Sequence, residues 1–326
     1  MTSINDTQKF IISYLFRNNS VSQGKLSEVL NISKSAITQT IQPLIKENII
    51  LKDDGVKTGK VGRREIPLYL NPSYGMFLGI DVRKHFYYLS GIDFSSSPIF
   101  SKRCENLNVL INEIKQAISN SSQCLSLAIT IRGFNSFEEF KEQNNDFVDA
   151  ILSLNIPVKF INNVECLAYV YKFYHPEDKS FILIKYGPGV GSSIFINGLP
   201  VGSKSEFGKM YVDDKKLEDT ISFSNLYQDY IDESECAIKL LNDSNLLSFS
   251  MKCLAKCLVN ADALLSLDSI ILAGNVLSNQ KAIDLLKEEV NQIDKTVYKH
   301  KEKTYENYTH LNEYKGAIMA FIEYTS

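Results

Sequence analysis

The chain has 326 residues, of which 44% are apolar and 22% charged, with a formal net charge of −3. That size predicts two domains, or three if one is small, and the composition excludes disordered, collagen-like and coiled-coil chains. Its apolar runs are only a few residues long, far below the roughly 18 of a membrane helix. Met1-Thr2-Ser3-Ile4-Asn5-Asp6 has neither the basic start nor the apolar run of a signal peptide, so the expected location is the cytoplasm. Six scattered cysteines (Cys104, Cys124, Cys166, Cys236, Cys253, Cys257) fit reduced thiols better than a disulfide framework. Charge is uneven: residues 1–72 carry ten Lys or Arg against six Asp or Glu, leaving 25 against 32 for the remainder. A basic head on an acidic body is what a nucleic-acid-binding module joined to a non-binding one would show.

Residues 8–16 place Phe10, Ile11, Tyr14 and Leu15 on the stripe of a helix with one buried face, and Asn18-Asn19-Ser20 ends it. A second short helix from about Ser22 turns Leu26, Val29 and Leu30 inward and stops at Asn31-Ile32-Ser33. Ser33 is placed to cap a third helix. There Ile37, Ile41, Leu44 and Ile45 face the core, while Lys34, Ser35, Ala36, Thr38, Gln39 and Gln42 face outward. Pro43 predicts a kink or an early end, because proline removes a hydrogen bond and disfavours helical geometry at Gln42. Two short strands follow, Ile49-Ile50-Leu51 and Ile66-Pro67-Leu68-Tyr69-Leu70, joined by a glycine-rich loop bearing Lys57, Lys60, Arg63 and Arg64.

Three helices and a basic wing describe a winged helix-turn-helix. Its third helix enters the major groove of double-stranded DNA, and its wing reaches the minor groove or phosphates. The expected DNA contacts are Ser33, Lys34, Ser35, Thr38, Gln39 and Gln42 on the helix and Lys57, Lys60, Arg63 and Arg64 on the wing. Glutamine there can pair bidentately with adenine. The bland alternative is a small helical bundle with a solvated polar face, and the basic loop argues against it.

From Tyr74 strands alternate with helices. Residues 77–82, 86–92 and 125–131 read as strands, with a helix at about 108–119; a helix at 147–154 and a strand at 158–161 follow. A second strand-rich stretch begins at 181–186, where Gly187-Pro188-Gly189-Val190-Gly191 turns the chain into residues 193–196, and Asn197-Gly198 is a strong hairpin turn. Residues 250–265 form an apolar helix, 269–274 a buried strand and 315–324 a closing helix. Two strand-first α/β lobes are implied.

These residues resemble the ROK family, sugar kinases and sugar-responsive repressors on an actin-like, ribonuclease-H-like two-lobed fold. The run Gly59-Lys60-Val61-Gly62-Arg63-Arg64 to Asn71-Pro72, followed by Gly79-Ile80-Asp81, resembles the junction of winged helix and body in the repressors. Pro157-Val158-Lys159-Phe160-Ile161-Asn162-Asn163-Val164-Glu165-Cys166-Leu167-Ala168 resembles the segment where the family has Glu-Asn-Asp-Ala-Asn, and Gly187-Pro188-Gly189-Val190-Gly191 stands where it has Gly-Thr-Gly-Ile-Gly. Glu206-Phe207-Gly208-Lys209 resembles Glu-x-Gly-His, Leu272-Ala273-Gly274-Asn275-Val276 the Gly-Gly strand end, and Gly316-Ala317 the terminal helix. Order and spacing together make the resemblance specific, and it covers nearly the whole chain.

The departures speak against catalysis. Kinase members reach ATP phosphates through an Asp-x-Gly-Gly-Thr turn, whereas this turn reads Asp81-Val82-Arg83-Lys84-His85 and three large side chains fill it. The family's catalytic carboxylate falls on Asn163, and an amide is no general base near neutral pH, a loss of about 10²- to 10⁴-fold. No zinc loop follows, since Met210-Tyr211-Val212-Asp213-Asp214-Lys215-Lys216-Leu217 holds no cysteine and Lys209 replaces the histidine. Cys253 and Cys257, one helical turn apart, read as core packing, and His85, His175, His300 and His310 lack metal-ligand spacing. No cofactor and no metal are expected.

By resemblance, a sugar or other effector would meet Asn162, Asn163, Gly189, Glu206 and Lys209. Two readings of Lys209 stay open: facing the cavity it favours an anionic ligand such as a phosphorylated sugar, and paired with Glu206 it plugs the cleft. The altered segment Ile131-Arg132-Gly133-Phe134-Asn135-Ser136-Phe137 leaves the ligand's identity undetermined. The expected organisation is a winged helix-turn-helix over residues 1–72, a first lobe over 73–185 with a helix at about 312–326 packed back on it, and a second lobe with a dimerisation surface over 186–311. The expected function is a DNA-binding transcriptional regulator of carbohydrate metabolism, a repressor, whose body is catalytically inactive. It would act as a homodimer or dimer of dimers on a palindromic operator, away from membranes. Rivals are a regulator whose body docks a protein and binds no sugar, and an active ATP-dependent sugar kinase.

Overall fold

The structure, a computed structural model, describes residues 4–52, 66–83, 85–134, 137–201, 206–227, 232–295 and 297. Its residues cluster into two compact units. One comprises the chain to Arg132 with Lys141–Phe160, the other Gly133–Phe140 with the described chain from Ile161 onward.

The head begins with α1 (Asp6–Asn18), β1 (Val21–Ser22), α2 (Gln23–Leu30) and α3 (Lys34–Lys46), and ends with β2 (Ile50–Lys52) and β3 (Pro67–Leu70). A reciprocal capping box starts α1: the Gln8 N–H donates to Asn5 Oδ1 (2.9 Å) and the Asn5 N–H to Gln8 Oε1 (3.0 Å). Ser22 and Ser33 cap α2 and α3 with their hydroxyls, which accept from the Lys25 and Ala36 N–H groups. Ile11, Leu15, Leu26, Ile37, Ile41 and Leu44 close the helical core. Val29, expected inside, is 40% exposed because α2 has turned it to solvent. Strand β3 is central, antiparallel to β1 and β2, as a wing requires. The early end that Pro43 allowed for does not occur. Helix α3 runs through it to Lys46, and Pro43 sits on the exposed side, where solvent can reach the Gln39 carbonyl that lacks its usual N–H partner.

A 3₁₀ turn (Pro72–Tyr74) leads into β4 (Met76–Val82), β5 (Tyr87–Asp93), β6 (Pro98–Cys104), α4 (Leu107–Ser119), β7 (Cys124–Ile131), α5 (Phe137–Gln143), α6 (Asn145–Leu152) and β8 (Val158–Asn162). The sheet order is β6-β5-β4-β7-β8, with β4 antiparallel to β5 and parallel to β7. Strand β4 is central and buried along nearly its whole length, so its sequence is an almost unbroken apolar run ending in Asp81. Strand β6 was not anticipated, because as an edge strand it carries Ser101, Lys102 and Arg103 instead of alternating apolar residues.

The second unit holds α7 (Asn163–Tyr174), β9 (Phe181–Tyr186), β10 (Val190–Ile196), β11 (Leu199–Pro200), β12 (Tyr211–Val212), β13 (Lys215–Lys216), α8 (Leu217–Ile221), α9 (Phe223–Leu226), α10 (Glu233–Asn242), α11 (Ser244–Leu265), β14 (Ser269–Ala273) and α12 (Gln280–Ile293). Its main sheet runs β11-β10-β9-β14, with β14 parallel to β9, so β9 belongs here and not in the first lobe that the 185/186 division assigned it to. Asn197 (φ 53°) and Gly198 (φ 81°) make the expected type I′ hairpin. Cys253 and Cys257 lie inside α11 against the core, and burial pushes both thiols up, Cys257 to about 11. The closing helix read at 315–324 lies outside the described residues.

Within this unit the buried Asp178 carboxylate accepts hydrogen bonds from the Tyr171 hydroxyl and from Ser269 Oγ (2.7 Å), joining α7 to β14. Burial and the neighbouring carboxylate raise the Tyr171 phenol far above its ordinary value, so it remains a donor. Asp178→Ala strands two buried hydroxyls and is expected to cost about 2–3 kcal/mol. Urea unfolding followed by tyrosine fluorescence checks this, and an unchanged midpoint would contradict it.

Candidate functional site

The outward face of α3 presents Lys34, Ser35, Gln39 and Gln42 as exposed side chains. Ser33 and Thr38 are committed to the helix itself. Ser33 Oγ accepts from the Ala36 N–H (3.2 Å), and the Thr38 hydroxyl lies within reach of the Lys34 carbonyl (2.9 Å) and Gln23 Oε1 (3.3 Å). The wing residues Lys57, Lys60, Arg63 and Arg64 lie outside the described residues. A residue the sequence reading missed is Gln8, only 7% exposed, whose Nε2 donates to the Thr40 carbonyl (3.1 Å) while its Oε1 completes the α1 cap. It fixes α3 against α1. Glutamine spaced three residues from Asn5 was the available signal.

At the end of β4, where kinase relatives approach phosphate, Asp81 is 8% exposed and held by two guanidiniums. Arg83 approaches Oδ2 with Nη2 at 2.6 Å and Nε at 2.7 Å; Arg132 donates from Nε to Oδ1 (3.0 Å) and from Nη2 to Oδ2 (3.2 Å). The Thr130 hydroxyl adds a bond to Oδ1 at 3.2 Å. Both carboxylate oxygens are thereby engaged by protein donors, and the bonds from the guanidinium groups are charge-assisted. The spacing of Asp81 and Arg83 hinted at this pairing. Arg132 could not be found from sequence, because only the parallel pairing of β4 and β7 brings it alongside.

The five expected effector residues all belong to the second unit. Asn162 caps α7: its Oδ1 accepts from the Val164 N–H (2.8 Å) and its Nδ2 donates to the Phe134 carbonyl (3.3 Å), which uses both ends of the amide. Asn163, at the first turn of α7, is 7% exposed, and its side chain has no hydrogen-bond partner among the described residues. A Cβ on Gly191 would stand 2.8 Å from Val164 Cγ2, so glycine lets the α7 N-terminus lie directly on β10. Two positions earlier, nothing lies within 4 Å of where a Gly189 side chain would start. Ser192 Oγ accepts from the Phe207 N–H (3.2 Å), which ties the 3₁₀ turn Phe207–Lys209 to the same strand.

Lys209 Nζ bonds Glu206 Oε1 at 2.9 Å, and Glu206 first, then Glu218 and Glu139, push the ammonium above its ordinary value. Of the two readings of Lys209, the observed one is the pair. Where zinc-bearing members have a cysteine loop, β12 and β13 form a short hairpin that buries Val212. The structure adds Glu233, whose buried Oε1 has no hydrogen-bond partner among the described residues and fills the space beside Gly187. An anion brought to this glycine turn would meet the buried Oε1 of a half-buried carboxylate.

The profile of the ROK family matches residues 109–322, and one for winged helix-turn-helix DNA-binding domains matches residues 4–50. The chain belongs to the ROK family. Among curated relatives, the xylose repressor of Staphylococcus xylosus is 23% identical over 229 residues, 64% of this chain and 60% of that one. The match thus spans about 60% of that relative's length. A solved ROK family transcriptional regulator, a homologue of the E. coli MLC protein, superposes with a TM-score of 0.71 at 16% identity over 98% of this chain and 97% of its own. A ROK family protein from Streptococcus pneumoniae in complex with sucrose superposes with a TM-score of 0.60 at 18% identity over 77% of this chain and 99% of its own. These likenesses establish the fold: a winged helix-turn-helix followed by an actin-like ROK body.

Removing the Asp81 charge leaves two guanidiniums without their shared partner. Asp81→Asn is expected to lower stability by about 2 kcal/mol, less than for a fully buried pair because both arginines reach solvent. Chemical denaturation checks this, and no loss of stability would show that the arginines do not depend on the carboxylate.

Proposed function

We propose that this chain is a DNA-binding transcriptional repressor of carbohydrate metabolism whose ROK body senses an effector and dimerises without transferring phosphate. The observation that carries this reading is the exposed face of α3, with Lys34, Ser35, Gln39 and Gln42 free of core duties on a capped, well-packed helix. Base readout and phosphate contact need such a face. Ser33 and Thr38 then contribute through helix geometry more than through direct contact, while Lys57, Lys60, Arg63 and Arg64 supply the wing's phosphate contacts.

Two features support a body that binds without catalysing. Asp81 is neutralised by Arg83 and Arg132, and Asn163 stands where a general base would be needed. Asn163, Gly189 and the Glu206–Lys209 pair still offer donors and acceptors for hydroxyl groups. The xylose repressors among the relatives make xylose the first effector to test. A ligand that prefers one arrangement of the body would shift the presentation of two heads on a palindromic operator. The reading places the protein in the cytoplasm, and no helix among the described residues is long and apolar enough to cross a membrane. The organisation proposed is a head over residues 1–72 and two lobes beyond it, the second bearing the dimerisation surface.

The Glu206–Lys209 pair favours one second reading, in which the effector position is filled by the protein itself and the body docks a protein partner. Thermal unfolding with xylose separates the two, since a ligand at 100 times its dissociation constant adds about 2.7 kcal/mol. A shift supports sensing. None with any neutral or phosphorylated sugar supports docking. Turnover of ATP with a hexose would overturn both.

For DNA, selection of bound genomic fragments is expected to yield a two-fold symmetric site. Gln39→Ala should change base preference at one position per half-site with a loss of about 1–3 kcal/mol for the preferred base, and the double exchange of Arg63 and Arg64 to Ala should lower the salt slope by about two per head. Unchanged selectivity and unchanged slope together would remove the wing-and-helix assignment.

A further inference from the structure

The five residues Asn71-Pro72-Ser73-Tyr74-Gly75 join the head's last strand to β4. A flexible linker of that length would let its ends wander over about 12 Å. This one is tied at both ends. On the head side, Asn71 Nδ2 donates to the Asn48 carbonyl (2.8 Å) and its backbone N–H to the Ile49 carbonyl (3.0 Å). Within the segment, Asn71 Oδ1 accepts from the Ser73 N–H (3.1 Å), the Tyr74 N–H closes on the Asn71 carbonyl (3.0 Å), and Pro72 fixes the backbone between them.

On the lobe side, Ser122 Oγ donates to the Ser73 carbonyl (2.8 Å), Gln123 Nε2 to the Tyr74 carbonyl (2.8 Å) and the Met76 N–H to the Gln123 carbonyl (3.0 Å). The Tyr74 ring packs 4.9 Å from Phe94. A Cβ on Gly75 would stand 2.8 Å from Leu125 Cγ, so the segment lies flush on the chain entering β7.

We infer that Asn71, Ser122 and Gln123 are positioning residues that splint the head to the first lobe, so that a rearrangement of that lobe carries α3 with it. The inference rests on the DNA-binding reading above. Its physical content is mechanical: a lobe can bias a distant reader only through an element with a defined orientation, because a free joint converts lobe movement into linker entropy and delivers no coupling free energy.

Two variants of the full chain test it. Asn71→Asp keeps the acceptor for Ser73 but loses the donor to Asn48, and Gln123→Glu sets a carboxylate against the Tyr74 carbonyl. With bio-orthogonal spin labels at the exposed positions 28 and 115, the parent is expected to give one narrow distance distribution and each variant a broadened one, at unchanged melting temperature. A broad parent distribution, or narrow ones in both variants, overturns the splint.

On DNA with two half-sites, shifting one by about half a helical turn should weaken the parent at least tenfold and the variants less than threefold, with single half-site binding unchanged. Equal spacing sensitivity also overturns it. If the parent binds no fragment at all, the DNA-binding reading fails, while the distance measurement still decides whether the joint is rigid.

Discussion

One carboxylate sets the character of the body. Asp81 ends the central strand of the first sheet, buried and shared by Arg83 and Arg132, with Thr130 completing its shell. A charge so placed must be paired, because its desolvation is offset only by close, directed partners. The partners come from the same strand end and from the parallel neighbour, so the pairing is part of how β4 and β7 are held in register. Both of its oxygens are engaged by protein donors, so the contact that stabilises this strand end also occupies its carboxylate.

The second unit follows the same logic around a glycine turn. Gly191 lets α7 approach β10, and Gly189 keeps the turn's outer side open. The nearest charges, Glu233 at Gly187 and the Glu206–Lys209 pair, belong to the protein. The ammonium of Lys209, which in isolation would have suggested an anionic ligand, is already paired with Glu206.

In the head, the division of labour lies along a single helix. Its inward residues Ile37, Ile41 and Leu44 are fully packed, its N-terminus is capped by Ser33, and Gln8 and Gln23 brace it from α1 and α2. Bracing by one buried and one half-buried amide gives the helix a fixed rotation about its axis, and rotation determines which side chains reach a groove. Pro43 is tolerated because it lies on the solvent side.

The sequence alone determined the three helices of the head, the Ser33 cap and most of their inward faces, Val29 excepted, since the 3.6-residue period and the cap signal are local. It also determined the Asn197-Gly198 hairpin and the buried strands β4, β7, β9 and β14, whose apolar runs are self-announcing. The edge strand β6 and helix α7 escaped it, the first because an edge is polar, the second because α7 is buried nearly all round and has no polar face to mark its period. The tertiary structure decided what local patterns do not contain: that Arg132 reaches Asp81 across a parallel pairing, that Glu233 stands at Gly187, that β9 joins β14, and that Ser122 and Gln123 grip the linker some fifty residues before them. Each is a contact between segments far apart in the chain, set by strand order and register, and neither is written in any window of neighbouring residues.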